Sequence, residues 1–166
     1  MPARTRRDPL PEDEIREGIE LLFFAYRDFT SDPDRILAPL GMGRAHHRVV
    51  HFVRGNPGIT VGDLLAILKI TKQSLNRVLG QLLREGYVAA RPGDTDRRER
   101  RLTLTGAGES LARRLFEVQR TRVAAAYREA GGSAVHGFRR VLIGLVNPAE
   151  RVRLPGGRLS APKRLR

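Results

Sequence analysis

The chain has 166 residues, 40% of them hydrophobic, which is enough for one domain with a packed core. Its 31 Lys and Arg against 18 Asp and Glu give a formal net charge of +13, which favours a polyanionic partner, nucleic acid first and an acidic membrane surface second. The absence of cysteine excludes disulfides, thiolate metal sites and thiol-based redox sensing. No apolar run is long enough to span a membrane. The opening MPARTRRDPLPEDE lacks the apolar core of a signal peptide, so a cytoplasmic location is expected.

Residues 1–10 are basic and proline-containing and are expected to be flexible. Glu12, Asp13 and Glu14 then favour a helix N-terminus through the helix dipole. The helix is expected to run to about Phe29, with Ile15, Ile19, Leu22, Tyr26 and Phe29 in one stripe. Leu21, Phe24 and Ala25 add apolar surface on its other side, more than a lone surface helix needs. That excess predicts a second burial surface, most simply a symmetric copy of the chain; an internal core helix is the alternative. Asp32-Pro33 reads as an N-cap followed by proline at the first helical position, opening a short helix from Asp34 to about Ala38.

A further helix is expected over Arg44 to Val53, with His46, His47 and His51. His47 and His51 stand four apart on one face, the spacing of a metal pair. No third ligand stands at a telling distance and there is no HExxH pattern, so packed, capping or surface histidines are the preferred reading, with no metal and no cofactor. Gly55-Asn56-Pro57-Gly58 marks a turn.

Residues 60–105 hold the pattern that organises the chain. Thr60 with Asp63 reads as a capping box, and Leu64, Ile67 and Leu68 share a helical face. Lys69-Ile70 makes a turn, and Thr71 caps the next helix. In that helix Leu75, Val78, Leu79 and Leu82 recur at steps of three and four and form the core stripe. Lys72, Gln73, Asn76, Arg77 and Arg84 face the other way, with Gly80 adding no side chain between them. Gln and Asn pair with adenine edges, Arg and Lys with guanine edges or phosphates. Thr71 and Ser74 suit phosphate contacts at the helix N-terminus. A merely solvated polar face is the alternative; the hairpin next in sequence argues against it.

Gly86 ends the helix. Tyr87 to Ala90 can form a strand, which Arg91-Pro92-Gly93-Asp94 is expected to break. Leu102 and Leu104 alternate with Arg101 and Thr103, so the return strand has one buried face. The tip carries Asp96, Arg97, Arg98, Glu99 and Arg100. Arginine at such a tip suits a narrow minor groove, where the negative potential is enhanced. Asp96 is expected to orient the Arg98 guanidinium by a bidentate pair. The alternative is a mobile charged loop.

Thr105 can cap a long helix from about Gly106 to Ala130, with Leu111, Leu115, Val118 and the Val123–Tyr127 region along one side. At 1.5 Å per residue it would span about 37 Å, a strut. Gly131-Gly132-Ser133 breaks it, and a last helix carries the stripe Val135, Phe138, Val141, Leu142, Leu145 and Val146 before Asn147-Pro148. Residues 149–166 are basic, contain proline and glycine, and show no apolar periodicity, so disorder is expected. No catalytic set emerges: Ser74 and Ser110 lack a nucleophile elbow, and there is neither a P-loop nor GxGxxG. An enzyme is therefore not expected.

With these motifs in place the chain resembles the MarR family of bacterial transcription regulators. The resemblance is carried by the helix pair, by Arg84-Glu85-Gly86-Tyr87-Val88, by Asp96-x-Arg98 with Arg101, and by Leu104-Thr105-x-x-Gly108; it spans roughly residues 12–147. Residues 18–52 resemble the PetP-type proteobacterial subgroup. One departure is Lys69, where the turn often has glycine. The resemblance implies a mainly α fold with a small β-hairpin wing, a winged helix-turn-helix whose N- and C-terminal helices form a dimerisation base. The domain would cover residues 11–148, with 60–105 as DNA-binding core and 11–30 and 106–147 as dimerisation helices. It further implies a homodimeric, sequence-specific regulator of transcription on a palindromic double-stranded operator. An effector would bind among the first helix, the histidine-bearing helix and the long later one, and shift the spacing of the reading heads. Two rivals are an architectural DNA-binding protein of low sequence preference and a winged protein-interaction module.

Overall fold

The computed structural model describes residues 10–93 and 96–153. Six helices and a small sheet succeed one another in order: α1 (Glu12–Leu37), a 3-10 turn (Ala38–Leu40), α2 (Arg44–Gly55), β1 (Ile59–Thr60), α3 (Val61–Leu68), α4 (Lys72–Arg84), β2 (Val88–Pro92), β3 (Arg100–Leu104), α5 (Gly106–Ala130), α6 (Gly132–Leu145) and a second 3-10 turn (Pro148–Arg153). The fold is mainly α with a β-hairpin wing. No helix among the described residues is long and apolar enough to cross a membrane.

The sheet is antiparallel in the order β1-β3-β2. Ile59 pairs with Leu102 and Thr60 with Arg101, so the wing gains a third strand that two residues are too few to announce. β2 runs two residues further than the sequence predicts, pairing Arg91 with Arg101 and Pro92 with Arg100. As an edge strand, β2 tolerates a proline that cannot donate to a ladder.

The hydrophobic core sits where α2, α3, α4, β3 and the start of α5 meet. Val49, Val50, Val53, Leu64, Leu75, Leu82 and Leu102 are buried there, and Leu37 and Leu115 close it from α1 and α5. The caps read from sequence at Thr60, Thr71 and Thr105 are formed. Thr60 Oγ1 accepts the Asp63 N–H at 3.1 Å, while the Asp63 carboxylate accepts back from the Thr60 N–H at 3.4 Å. Thr105 Oγ1 accepts the Gly108 N–H at 3.1 Å and donates to the Gly86 carbonyl, binding the start of α5 to the end of α4. A Cβ at Gly108 would stand 2.0 Å from the Tyr87 carbonyl oxygen, so only glycine lets α5 approach the wing this closely. That is the physical content of the Leu-Thr-x-x-Gly motif.

The N-terminal helix departs from expectation. α1 does not stop near Phe29 but continues through Pro33 to Leu37. Proline has no N–H, so the Phe29 carbonyl loses its helical donor. Burial of Pro33 and Leu37 outweighs that loss. One turn earlier, the Thr30 hydroxyl donates to the Tyr26 carbonyl at 2.9 Å and the Ser31 hydroxyl to the Asp28 carbonyl at 2.8 Å, back-bonds that help a helix bend. Asp32 is no cap. Its carboxylate takes the Arg122 guanidinium from α5 at 2.7 and 3.0 Å, a tertiary contact that overrides the local signal.

Most of α1 and all of α6 lie outside the core. The buried residues of α1 are Thr30, Pro33 and Leu37, at its C-terminal end, and α6 has none. Leu21, Leu22, Phe23 and Phe24 of α1 and Val141 and Leu145 of α6 are open, so α1 is not an internal core helix of a single chain. α6 leans on α5 through an edge-on contact of Tyr127 and Phe138 with ring centroids 6.3 Å apart. The disorder expected from residue 149 is corrected for residues 149–153, which belong to the second 3-10 turn. There the Glu150 N–H bonds the Asn147 carbonyl at 2.8 Å and Arg151 caps the end of α6. The remainder of that tail, 154–166, and the N-terminal stretch 1–9 lie outside the described residues.

Candidate nucleic-acid interface

α4 is an amphipathic helix whose two faces divide cleanly. Leu75, Val78, Leu79 and Leu82 are buried, and their burial fixes the opposite face outward. Lys72, Gln73, Asn76 and Arg77 are exposed there. Among the described residues, none of these four side chains makes a hydrogen bond or an ion pair within the chain. Their donors and acceptors are free for another molecule. Arg84 stands one helix length away, about 18 Å along the axis at 1.5 Å per residue. Its Nη1 lies only 3.3 Å from where a Cβ at Gly80 would sit, so the missing side chain lets Arg84 fold back along the helix.

The N-terminus of α4 is closed by Thr71, whose Oγ1 accepts the Ser74 N–H at 3.1 Å and donates to Ser74 Oγ at 2.9 Å. Two residues earlier Lys69 has φ 52° and ψ 38° and is the only non-glycine residue with positive φ among those described. The turn therefore keeps the left-handed geometry that glycine usually supplies, at a cost of about 1–2 kcal/mol for a residue with a Cβ. Lys69 Nζ meets Glu150 Oε1 at 3.0 Å.

One turn beyond Arg77, at the flank of the exposed face, a polar chain links α4 to α2. His46 Nδ1 accepts the Gly43 N–H at 3.1 Å, which leaves Nε2–H to donate to Gln81 Oε1 at 2.9 Å. Gln81 Nε2 donates on to Glu85 Oε1 at 2.9 Å. The sequence allows a capping role for His46; it does not reveal the link to the reading helix.

The wing tip is a hydrogen-bonded turn. Glu99 N–H reaches the Asp96 carbonyl at 3.0 Å and Gly93 N–H the Glu99 carbonyl at 2.9 Å. Asp96 does not take the Arg98 guanidinium in a bidentate pair. Its Oδ1 accepts the backbone N–H of Arg98 at 2.9 Å instead. A short carboxylate reaches the main chain two residues on more readily than a long side chain can fold back to it. The arginines at the tip gain from this, because Arg97, Arg98 and Arg100 are exposed and unpaired among the described residues.

Arg101 stands apart from the other predicted residues. Its Nη1 donates to the Gly58 carbonyl at 3.4 Å, its Nη2 lies 3.7 Å from Glu99, and its Nε is buried with no hydrogen-bond partner among the described residues. It ties the base of the wing to the turn before β1. Opposite it on β2 stands Arg91, exposed, at a position the sequence assigns to a turn. Like charges directly across two strands repel, a repulsion that a polyanion would relieve.

A second feature lies between α2 and α5: a cavity of about 320 Å³ walled by His47, Val50, His51, Arg54, Leu115, Phe116 and Gln119, among others. Arg54 sits 6.0 Å over the Phe116 ring and 3.3 Å from Glu109. His47 is half-buried and held below the ordinary histidine pKa, first by burial, then by His51. His51 is more open to solvent at its edge and is lowered mainly by its burial against the cavity wall, then by Arg54. Among the described residues no group of three potential metal ligands forms around this pair.

Known proteins share both the sequence pattern and the fold. Residues 40–99 match the sequence profile of the MarR family. The chain is 54% identical over 142 residues, 86% of its length and 86% of the other's, to the HTH-type transcriptional regulator PetP of Rhodobacter capsulatus. A mutant MarR from Escherichia coli crystallised with operator DNA shares its fold, with a TM-score of 0.64 at 20% identity over 84% of this chain and 100% of that one. A MarR family protein of Mycobacterium tuberculosis in complex with p-aminosalicylic acid superposes with a TM-score of 0.55 at 26% identity, covering 76% of this chain and 95% of that one.

Proposed function

The chain belongs to the MarR family of transcription regulators, and from that premise we propose that it acts in the cytoplasm as a homodimer reading a palindromic duplex operator, by binding and without catalysis. α4 enters the major groove. Gln73, Asn76, Arg77 and Lys72 meet base edges or phosphates, and Thr71 and Ser74 meet phosphate at the helix N-terminus. Arg97, Arg98 and Arg100 carry the wing to the flanking backbone or minor groove, joined by Arg91. Arg84 contacts backbone at the far end of the helix. Asp96 shapes the tip, and Arg101 braces its base. The observation that carries this reading is the free polar face of α4 beside a hydrogen-bonded arginine hairpin.

The open apolar faces of α1 and α6 supply the dimer base, since an obligate interface resembles a core cut in half. The cavity between α2 and α5 is where we place a small-molecule effector, with an apolar ring against Phe116 and Leu115 and an acidic group towards Arg54. Such an effector acts by binding one arrangement of the two reading heads better than the other.

Selection of bound duplexes from a random pool tests the reading. A palindrome with half-sites about 10 base pairs apart, or a multiple of that, is expected from a two-fold dimer. Recovery of no motif at fixed salt would instead fit an architectural protein with a small specificity ratio.

A further inference from the structure

Gly80 is a residue of α4 that the fold does not require. Glycine is less favourable than alanine inside a helix, so its presence there calls for a compensating reason. At Gly108 the reason is visible, because a Cβ would collide with the Tyr87 carbonyl oxygen. At Gly80 nothing comparable stands nearby. Its backbone is not left-handed. Beyond its own helix backbone and chain neighbours, a Cβ would meet a single atom within 4 Å among the described residues, Arg84 Nη1 at 3.3 Å.

The position of this gap gives it meaning. At 3.6 residues per turn, Gly80 and Arg84 each fall within about 20° of Gln73 on the helix surface. That line lies opposite the buried stripe of Leu75, Val78, Leu79 and Leu82, with Asn76 and Arg77 flanking it on either side. Helical side chains lean back towards the N-terminus, and with no side chain at Gly80 the Arg84 guanidinium lies in the gap. Its head is thereby drawn about 6 Å back along the axis, from the far end of α4 to one turn beyond Asn76 and Arg77. Among the described residues it makes no hydrogen bond or ion pair within the chain, and the side chain is exposed. An arginine fork held there suits the O6 and N7 pair of a guanine edge. Gln73 and Gly80 are about 10 Å apart along the helix, the length of about three base-pair steps.

Resting on the DNA-reading role above, we infer that Gly80 and Arg84 act as one specificity-determining unit. The gap at Gly80 holds the Arg84 guanidinium in the reading face, where it takes a guanine edge in the major groove. This moves Arg84 from a backbone contact at the far end of the helix to a base contact one turn nearer Gln73. Gly80 is the positioning residue of the pair and Arg84 the one that touches DNA.

The test compares the native protein with Arg84→Ala, Gly80→Ala and the double variant. Affinities are measured at fixed salt for the duplex recovered by selection from a random pool, for its single-base-pair exchanges and for a random duplex. Melting temperatures are taken alongside. Arg84→Ala should lower discrimination at one G·C position of each half-site by about 5- to 150-fold, the worth of one bidentate pair, and leave the other positions unaltered. Gly80→Ala should raise the melting temperature by about 2–4 °C, as a better helix former, yet lower discrimination at that same position. In the Arg84→Ala background it should still raise the melting temperature and cost no further discrimination. If Arg84→Ala weakens every duplex alike, the inference is overturned and the far-end backbone contact stands within the DNA-reading role. A loss in Gly80→Ala that is equal with and without Arg84, no loss at all, or a lowered melting temperature would likewise overturn the unit. A native protein that selects no duplex would overturn both the unit and the reading role.

Discussion

The reading head and the helical base are built from similar apolar residues but end in opposite conditions. In the head, Leu75 is 0% exposed, inside the core that α2, α3, α4 and β3 share; in the base, Leu145 is 61% exposed. A single chain can complete the first and cannot complete the second. On the proposed reading this is where folding and association divide: the head draws stability from its own core, and the base would draw it from a second copy.

Substitutions should separate the two. Leu75→Ala removes buried methyl groups from a closed core and should lower the unfolding free energy by about 2–5 kcal/mol, independent of protein concentration. Denaturant melts at several concentrations check this, and a destabilisation that vanished on dilution would place Leu75 at an interface instead. Leu145→Ser should leave helical content unchanged and weaken dimerisation by about 1.5–3 kcal/mol per protomer, the worth of burying one such side chain. Sedimentation equilibrium reads that shift; an unaltered association constant would remove α6 from the interface.

A smaller effect concerns pH and the seam between head and strut. Burial holds His47 and His51 below their ordinary pKa, so folding favours their neutral forms. The stability this contributes is complete above the unfolded value of about 6.5 and is lost as pH falls from there through the folded values. Melting temperature should therefore decline on acidification through that window, and His47→Gln/His51→Gln should flatten the decline. An equal decline in that variant would assign it to other groups.

Much of the head is legible in the sequence because its signals are local. The steps of three and four in α4 and the caps at Thr60, Thr71 and Thr105 depend on residues within one turn of each other, and each is formed. Sequence misleads where a distant partner or a competing local bond decides the outcome. Pro33 marks a helix start, but burial carries α1 through it; Asp32 marks a cap, but Arg122 of α5 claims it. Asp96 matches the right residue and the wrong atom, its partner being the Arg98 main chain. Arg101 alternates outward in the sequence but is held by the turn before β1, a strand too short to show a pattern. The Lys69–Glu150 pair has no sequence signature, because nothing local relates a helix-turn-helix turn to a residue beyond α6.

The most direct measurement is of base preference, taken for Gln73→Ala and Arg77→Ala beside Arg98→Ala. If α4 reads bases and the wing holds backbone or the degenerate minor groove, the first two should each lower discrimination at defined operator positions by about 1–3 kcal/mol, the worth of one bidentate pair. Arg98→Ala should weaken operator and random duplexes nearly equally. Unchanged base preference in both α4 variants, with the preference moved by Arg98→Ala, would contradict this and place recognition in the wing.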